Sequence, residues 1–383
     1  MISATSSTQT FGARHVPELD GLRGIAIISV LIHHQLTTFS VNGGFLGVDL
    51  FFVLSGFLIT GILWSEFQNT HSISLRNFYM RRVLRLGPGL LIYLLACLFV
   101  TYRMQRIEMG KEIKLIAIAL VYSTNWLMAF GLNSFHEPTA ITWSLSIEEQ
   151  FYLVWPILFF GCLMLKVRRG WIVAGLGATI LAIMVHRVLL LSAGAGLTRL
   201  YYGTDTRADA LLMGCLIALL PVARVSKNMK KYLNPASVLS LVALFYFIAT
   251  TRFADSFLYR GGYTLIALMA GIVIFVAANS PPGILSALLR NRALRWFGEI
   301  SYGLYLWHWL VVLSSSFYYL GYWEPWARLA LAVGIASASF YLVEKPFNRL
   351  KTRFAIQPRD AQLVLSSTGT DKAHSGIPIP LAN

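Results

Sequence analysis

Long apolar segments alternate with short polar ones along almost the whole chain. They lie at residues 22–39, 46–64, 88–102, 113–131, 150–165, 171–192, 209–221, 236–250, 262–278, 302–320 and 326–343. A helix of about 20 apolar residues is long enough to cross the hydrocarbon layer of a membrane, whereas a helix of a soluble protein keeps a polar face. Most of these segments have no polar face, so the pattern predicts an all-α polytopic membrane protein.

The positions of lysine and arginine limit how many segments cross. Basic clusters follow the second, fifth, seventh, ninth and eleventh segments, and the positive-inside rule puts all five clusters in the cytoplasm. Strict alternation through eleven spans cannot achieve this, since it would put some of the clusters on the opposite side. We therefore predict about ten spans and one re-entrant or interfacial segment. Either 88–102, which is short, or 113–131, which polar residues interrupt, would fail to cross.

Both ends of the chain are polar. We expect residues 1–18 to be a polar cytoplasmic N-terminus without a cleaved signal peptide, 19–350 to form the membrane domain, and 351–383 to be a disordered cytoplasmic tail. The net charge of +15 would suggest nucleic acid in a soluble protein. Here the basic loops account for it, so no nucleic-acid partner is expected. The three cysteines lie in apolar segments and predict neither disulfides nor a metal site.

The first apolar helix, LDGLRGIAIISVLIHHQ, contains charge that is costly in a membrane. Arg23 and His34 are eleven residues apart, about three turns, and so share one face at a separation of about 16 Å. Asp20 lies one turn before Arg23 and could pair with it. His33 is adjacent to His34. Ionisable residues inside spans are functional candidates by default, although a snorkelling arginine and a helix-end histidine would also explain the pattern.

Two further motifs combine polar and apolar residues. GFLGVDLFFVLSGFLIT contains Asp49 and, at its centre, Ser55, which could serve catalysis or only helix packing. FYMRRVLRLGP contains three arginines at helical spacing, either as a topology signal or as ligands for phosphate groups, which the arginine fork matches well. These arginines are Arg81, Arg82 and Arg85.

ITWSLSIEEQFYLVWP opens an apolar segment with Glu148 and Glu149 among aromatic residues that include Trp143. The positive end of the helix dipole could stabilise these carboxylates, which would then serve only to cap the helix. Alternatively, one of them could orient a base or accept a proton.

TDTRADALLMG contains Arg207 and Asp209 at a helix entry, either as a local ion pair or cap or as part of a site. His308 lies in the aromatic-rich segment ISYGLYLWHWL and could be structural or functional.

Together these motifs resemble the acyltransferase 3 family of integral-membrane acyltransferases. The resemblance runs from Pro17 to about Phe347 and rests on LDGLRG, on the arginine–histidine spacing and on the other motifs in the order of the family. It implies His34 as the leading catalytic residue, with Arg23 as its partner and Glu148 at the glutamate of the WSLSxE motif. The supporting candidates are Asp20, Asp49, Ser55, Trp143, Arg207, Asp209 and His308. It assigns Arg81, Arg82 and Arg85 to donor binding.

The resemblance also implies transfer of an acyl group, usually acetyl, from cytoplasmic acyl-CoA to a hydroxyl of a glycan or lipid-linked glycan of the cell envelope. The expected place is the inner membrane of a bacterium, among membrane lipids, with no metal cofactor. Some members carry a fused periplasmic domain, and we expect a separate periplasmic partner to supply it where an acceptor requires one. His34 would act either as a base or as a transient acyl carrier. A transporter or flippase of a lipid-linked glycan, or a membrane scaffold, remains an alternative.

Overall fold

The computed structural model describes residues 15–36, 41–104, 108–220, 227–279, 283–314 and 318–354. Within these ranges the chain is helical and contains no β-strand, which confirms the all-α prediction. The α-helices are α1 (Pro17–Gln35), α2 (Gly47–Thr70), α3 (Leu75–Met104), α4 (Met109–Leu120), α5 (Thr124–Ala129), α6 (Trp143–Met164), α7 (Arg169–Ser192), α8 (Leu197–Tyr202), α9 (Thr204–Ala218), α10 (Lys227–Thr250), α11 (Tyr263–Asn279), α12 (Ile284–Leu289), α13 (Arg292–Glu299), α14 (Ser301–Ser314), α15 (Glu324–Ser339) and α16 (Lys345–Leu350).

Seven helical stretches of the described chain are long and apolar enough to cross a membrane, so the protein is a multi-pass membrane protein. The predicted number of about ten spans is not confirmed. Helices α1, α9 and α14, which correspond to three predicted spans, do not meet these criteria. The seven stretches are Gly44–Thr70, Leu75–Met104, Pro138–Met164, Arg169–Ser192, Tyr232–Thr250, Leu258–Asn279 and Leu320–Phe354.

Charge, length and packing explain why these three helices are not among the seven stretches. Helices α1 and α9 carry charged side chains, and α9 and α14 contain only 15 and 14 residues. All three pack among other helices, where protein rather than lipid surrounds their polar groups. Helix α1 is therefore too charged, and α9 and α14 are too short, to be counted among the stretches that could cross a membrane on their own.

The outer helices show the opposite pattern. Only 22% of the most apolar window of α7 is buried, against 72% of that of α2. Large apolar side chains such as Leu95 and Phe99 on α3 and Leu239 on α10 are exposed. Exposed apolar surface of this extent is what a lipid environment covers. The bundle therefore has α2 near its centre and α3, α7 and α10 at its periphery.

The predicted segments 88–102 and 113–131 differ in the structure. The first lies within α3, whose 30 residues are long enough to span despite Pro88. The second is divided into α4 and α5, of 12 and 6 residues, at a turn in which Tyr122 has a φ of 53°. Neither piece is long enough to cross a membrane. The structure thus favours 113–131 as the segment that does not span.

Close helix packing depends on small residues at crossing points. A Cβ on Gly56 of α2 would overlap the backbone carbonyl of Leu211 in α9, and a Cβ on Gly24 of α1 would overlap that of Leu294 in α13. Small residues at such points let helix backbones approach one another inside a membrane. These contacts fix α2 against α9 and α1 against α13, the helices that position the site.

Candidate active site

Helix α1 carries two of the predicted site residues at its opposite ends. Arg23 lies in its second turn and His34 in its last. We refer to the two ends of the bundle as the Arg23 end and the His34 end. Each residue lines a different cavity. The separation of about 16 Å along the helix means that the two side chains do not act on one atom.

At the His34 end, the structure brings two histidines together. Nε2 of His308 lies 3.3 Å from Nδ1 of His34, and Nδ1 of His308 lies 3.1 Å from the backbone carbonyl of Leu304. A carbonyl only accepts, so a neutral His308 holds its proton on Nδ1 and leaves Nε2 to accept from Nδ1–H of His34. His308 is fully buried, which favours the neutral ring. These partners assign the free lone pair of His34 to Nε2.

His34 lines a cavity of about 320 Å³, the histidine cavity. Its wall is largely aromatic: His33, His34, Phe45, Phe135, Trp143, Tyr201, Tyr202, Phe253, Tyr305 and Trp309, with Val48 and Ile141. Trp143, at the start of α6, packs its ring 4.9 Å from that of Tyr201 and 5.0 Å from that of Tyr202. His33 instead contacts the backbone oxygen of Val41 at 3.2 Å through Nδ1, whereas it is His34 that His308 contacts. In the sequence, only the spacing from Arg23 distinguishes His34 from His33. In the structure, the contact with His308 distinguishes them as well.

At the Arg23 end, a cavity of about 620 Å³ is lined by Asp20, Arg23, Arg85, Glu344 and Lys351, among others. We call it the arginine cavity. A narrow space of about 80 Å³ adjoins it, shares Arg23, Arg85 and Tyr302 with it, and also contains Arg82 and Glu148. We call this space the passage.

Glu148 therefore lies with the arginines rather than with His34. Ser55 donates a hydrogen bond of 2.8 Å to Oε1 of Glu148, and the guanidinium of Arg82 lies 4.3 Å from the ring of Tyr152. Within the described residues, no carboxylate oxygen lies within 4 Å of the guanidinium nitrogens of Arg23. The passage thus combines cationic groups with one carboxylate.

Two of the predicted residues have other partners. Arg81 donates to the backbone oxygen of Phe354 at 2.6 Å and approaches Glu66 at 3.4 Å, so it holds the end of the described chain instead of lining the cavity. Asp20 lies 2.6 Å from Nε2 of His15. The possible direct ion pair of Asp20 with Arg23 is not formed, because the carboxylate of Asp20 contacts His15 instead, although both residues line the arginine cavity.

The local ion pair between Arg207 and Asp209, one of the alternatives for the TDTRADALLMG motif, is not formed. Arg207 on α9 pairs instead with Asp49 on α2 at 2.9 Å, and Asp209 pairs with Arg187 on α7 at 3.0 Å. All four side chains are buried. These two ion pairs join three helices behind the histidine cavity, where Arg207 also lies over the ring of Tyr263. They are well placed to fix the cavity wall.

Two residues of this region, Arg187 and Tyr305, were not among the candidates predicted from the sequence. Arg187 was overlooked because it lies inside the long apolar segment 171–192, next to His186 and outside the quoted motifs. Tyr305 lines both the passage and the histidine cavity. Its position one turn from His308 in SYGLYLWHW was the available signal, but tyrosine is common in membrane helices. Among the described residues, no group of His, Cys, Asp and Glu is arranged to hold a metal ion.

Comparison with known proteins agrees with these motifs. A family model described as an acyltransferase domain matches residues 16–344. The peptidoglycan O-acetyltransferase OatA of Listeria monocytogenes (serovar 1/2a, strain EGD-e) is 36% identical over 368 residues, which are 89% of this chain and 57% of OatA. YrhL of Bacillus subtilis (strain 168), by name a candidate peptidoglycan O-acetyltransferase, is 36% identical over 350 residues, 87% of this chain and 55% of YrhL. No solved structure matches.

The chain spans little more than half the length of these two relatives. The family model nevertheless covers most of the chain, from just before α1 to the region of Glu344. The match includes the passage, the histidine cavity and most of the arginine cavity, of which His15, Asn348 and Lys351 lie outside the matched residues. The resemblance seen in the motifs is thereby confirmed, and the chain belongs to the acyltransferase 3 family of integral-membrane acyltransferases.

Proposed function

We propose that this protein is a membrane O-acyltransferase that moves an acyl group, acetyl in the first instance, from acyl-CoA to a hydroxyl of a cell-envelope glycan. One observation carries the proposal: a narrow space, the passage, lies between a cationic cavity at one end of the bundle and a histidine pair at the other and shares lining residues with the cavity on each side. A donor with phosphates at one end and a thioester at the other fits this arrangement. The named relatives make peptidoglycan the first acceptor to test.

The distribution of charge supports a cytoplasmic Arg23 end. Arg81 holds Phe354 near the start of α3, Arg169 lies 5.3 Å from the ring of Trp64, and Arg290 lies 3.9 Å from Glu18. These basic residues gather at the Arg23 end, which the positive-inside rule places in the cytoplasm. Helix α1 begins there and the described chain ends there, in keeping with two cytoplasmic termini of the membrane domain. The bacterial inner membrane is the corresponding location.

The arginine cavity suits the phosphate groups of CoA. Arg85 lines both this cavity and the passage, and Lys351 lies at the cavity wall. Guanidinium groups match phosphate oxygens in shape and charge. With the nucleotide held here, the pantetheine arm would extend through the passage and bring the thioester towards His34. Arg23 then steers the donor, and His34 serves the reaction.

Nε2 of His34 supplies the base. In direct transfer it takes the proton of the acceptor hydroxyl, whose oxygen forms a bond to the acyl carbon while the carbon–sulfur bond breaks and the thiolate leaves; the imidazolium returns the proton to the sulfur. In a relay, Nε2 first attacks the acyl carbon and the carbon–sulfur bond breaks, so that the CoA thiolate leaves. The hydroxyl oxygen then bonds to the acyl carbon, the carbon–nitrogen bond breaks to free Nε2, and the hydroxyl proton passes to the thiolate. Both routes need the lone pair that His308 directs to Nε2. Aromatic rings in the histidine cavity offer flat apolar surfaces with polar edges for a sugar ring.

The proposal is tested with membrane vesicles that contain the protein. Acetyl-CoA labelled in its acetyl group is added on the Arg23 side, and base-labile label is measured in peptidoglycan precursors, in polymeric glycan and in lipid-linked glycans. We expect label to appear in a glycan fraction only when the protein is present.

Vesicles that contain the Arg23→Ala variant at equal protein level serve as the comparison and should lose this transfer. Glycan that crosses the membrane without gaining label would instead identify a transporter or flippase. A protein that neither transfers label nor moves glycan would overturn the proposal as well.

The arginines of the FYMRRVLRLGP motif are expected to differ in their effect on the donor. Arg85→Ala should raise the KM for acetyl-CoA by about tenfold or more, since charge-assisted bonds to phosphate contribute about 1.5–3 kcal/mol. Arg81→Ala is the matched control, because its guanidinium binds Phe354 and Glu66 instead. Initial rates at varied acetyl-CoA concentrations give the KM of each variant. An equal rise in KM for the two variants would contradict donor binding by Arg85.

A further inference from the structure

Tyr305 lies between the passage and the histidine cavity. Only Tyr305 and Val48 line both spaces among the described lining residues. Val48 belongs to the start of α2 and Tyr305 to the middle of α14, so the two helices face each other at this boundary. Both side chains are nearly buried, at 6% exposure for Tyr305 and 5% for Val48. The wall between the two spaces is therefore made of one ring and one small apolar side chain.

A hydrogen bond holds the ring in place. Ser144 on α6 donates to the phenol oxygen of Tyr305 at 2.7 Å, and Ser144 itself lines the passage. The space on this side is small, about 80 Å³, compared with about 320 Å³ on the other. A thioester that enters from the arginine cavity thus meets the Tyr305 ring before it reaches the histidines.

The order of residues along α14 follows the same direction. Tyr302 lines the arginine cavity and the passage, Tyr305 lies one turn further, and His308 lies a further turn towards the His34 end. The rings of Tyr305 and His308 are 5.8 Å apart, and His308 contacts His34. One helical face therefore leads from the donor side to the base, with the tyrosine halfway.

We propose that Tyr305, held by Ser144, is a gate between the donor and acceptor sides and that it restricts the acyl groups that pass to short ones. The gate itself follows from the geometry of the two spaces. The restriction on acyl length rests on the proposed function, since it assumes that an acyl thioester uses the passage. Small acyl groups pass beside the ring when it turns from Ser144, and longer chains meet the ring and Val48.

The first experiment measures acyl selectivity. Membranes with wild-type protein, Tyr305→Val or Tyr305→Phe are given acetyl-CoA and hexanoyl-CoA separately, and the ratio of hexanoyl to acetyl transfer is compared. Tyr305→Val should raise this ratio at least tenfold, since a change of a few methylene groups in an apolar site alters selectivity by that order. Tyr305→Phe keeps the ring but loses the hydroxyl that Ser144 holds, so it should raise the ratio far less than Tyr305→Val does, by about threefold at most, an estimate of the same kind.

Tyr246→Val on α10 is the matched control, because this tyrosine is 63% exposed at the periphery. It should change neither transfer rate nor ratio. A ratio that stays at the wild-type value in Tyr305→Val, with protein at normal level, would overturn the selectivity. A general loss of folding would lower both rates together and would not raise the ratio. If Tyr305→Val does not accumulate, Tyr305→Leu provides the same comparison with a larger side chain.

The second experiment tests the gate without any acyl transfer. Leu145 lines the passage, and Leu145→Cys is placed in a chain whose three native cysteines are alanine. Sealed vesicles are treated with a small, charged thiol reagent from one side only. From the His34 side, labelling should be slow with Tyr305 and at least about tenfold faster with Tyr305→Val, while labelling from the Arg23 side should be similar in both.

Equal labelling rates from the His34 side with and without Tyr305 would overturn the gate. Because this measurement needs no donor, it separates the two proposals. Gated labelling together with absent acetyl transfer would refute the proposed function and leave the gate in place. Acetyl transfer together with equal labelling rates in both proteins would refute the gate and leave the proposed function in place.

Discussion

Replacing His34 with alanine is expected to lower acyl transfer by at least about 100-fold, the contribution that a positioned base typically makes. The reason is that His308 contacts Nδ1 of His34, so that the lone pair on Nε2 of His34 stays free in the histidine cavity. Transfer of label from acetyl-CoA to glycan, at matched protein level in the membrane, measures the loss. The same loss is expected whether His34 acts as a base or carries the acyl group.

His33→Ala is the internal comparison for this prediction. Its ring contacts the backbone oxygen of Val41 and not His308, although it also lines the cavity. We expect at least about tenfold more residual transfer in His33→Ala than in His34→Ala, since only the latter removes the base. Equal losses in the two variants, or normal transfer in His34→Ala, would remove His34 from the reaction.

The second large effect is expected for the buried ion pair between Asp49 and Arg207. Removing the guanidinium in Arg207→Leu leaves the carboxylate of Asp49 buried without its partner, which typically costs about 3–5 kcal/mol. The same change removes the cation above the rings of Tyr201 and Tyr263. The free energy of unfolding, from titration of the detergent-solubilised protein with SDS, should fall by that amount.

Two variants control this experiment. Arg199→Ala breaks a partly exposed pair with Asp205 and should cost about 1 kcal/mol or less. The double variant Asp49→Leu/Arg207→Leu removes both charges and should recover much of the stability lost in Arg207→Leu, because no unpaired charge remains. A double variant that is less stable than Arg207→Leu would show that the pair does more than neutralise charge.

Several features were accessible from the sequence because they depend on local spacing. The helical period places Arg23 and His34 on one face of one helix, and the apolar segments predict an all-helical membrane protein. The motif order also predicts the family that the comparison confirms. The number of spans was less accessible. Apolar segments mark the regions of α1, α9 and α14, but α1 carries several charges, and α9 and α14 have only 15 and 14 residues, because hydropathy does not fix where a helix begins and ends.

The ion-pair partners of the charged residues could not be predicted from the sequence, for a different reason. Arg207 and Asp209 are two positions apart in sequence, yet their partners are Asp49 and Arg187 on other helices. Similarly, the motif FYMRRVLRLGP contains Arg81, Arg82 and Arg85, but of these three only Arg82 and Arg85 line the passage. Which of several nearby groups a charge meets is decided by helix packing, and sequence spacing within one helix does not contain that information.

Thus the sequence by itself determined the chemical groups of the site and their positions along single helices, since side-chain type and the helical repeat are local properties. Only the tertiary structure decided that His308 of α14 contacts His34 of α1, that Glu148 lies with the arginines, and that Tyr305 stands between the passage and the histidine cavity. These are contacts between helices far apart in the chain. They depend on close approaches, such as that of Gly56 to Leu211, which set the distances between whole helices.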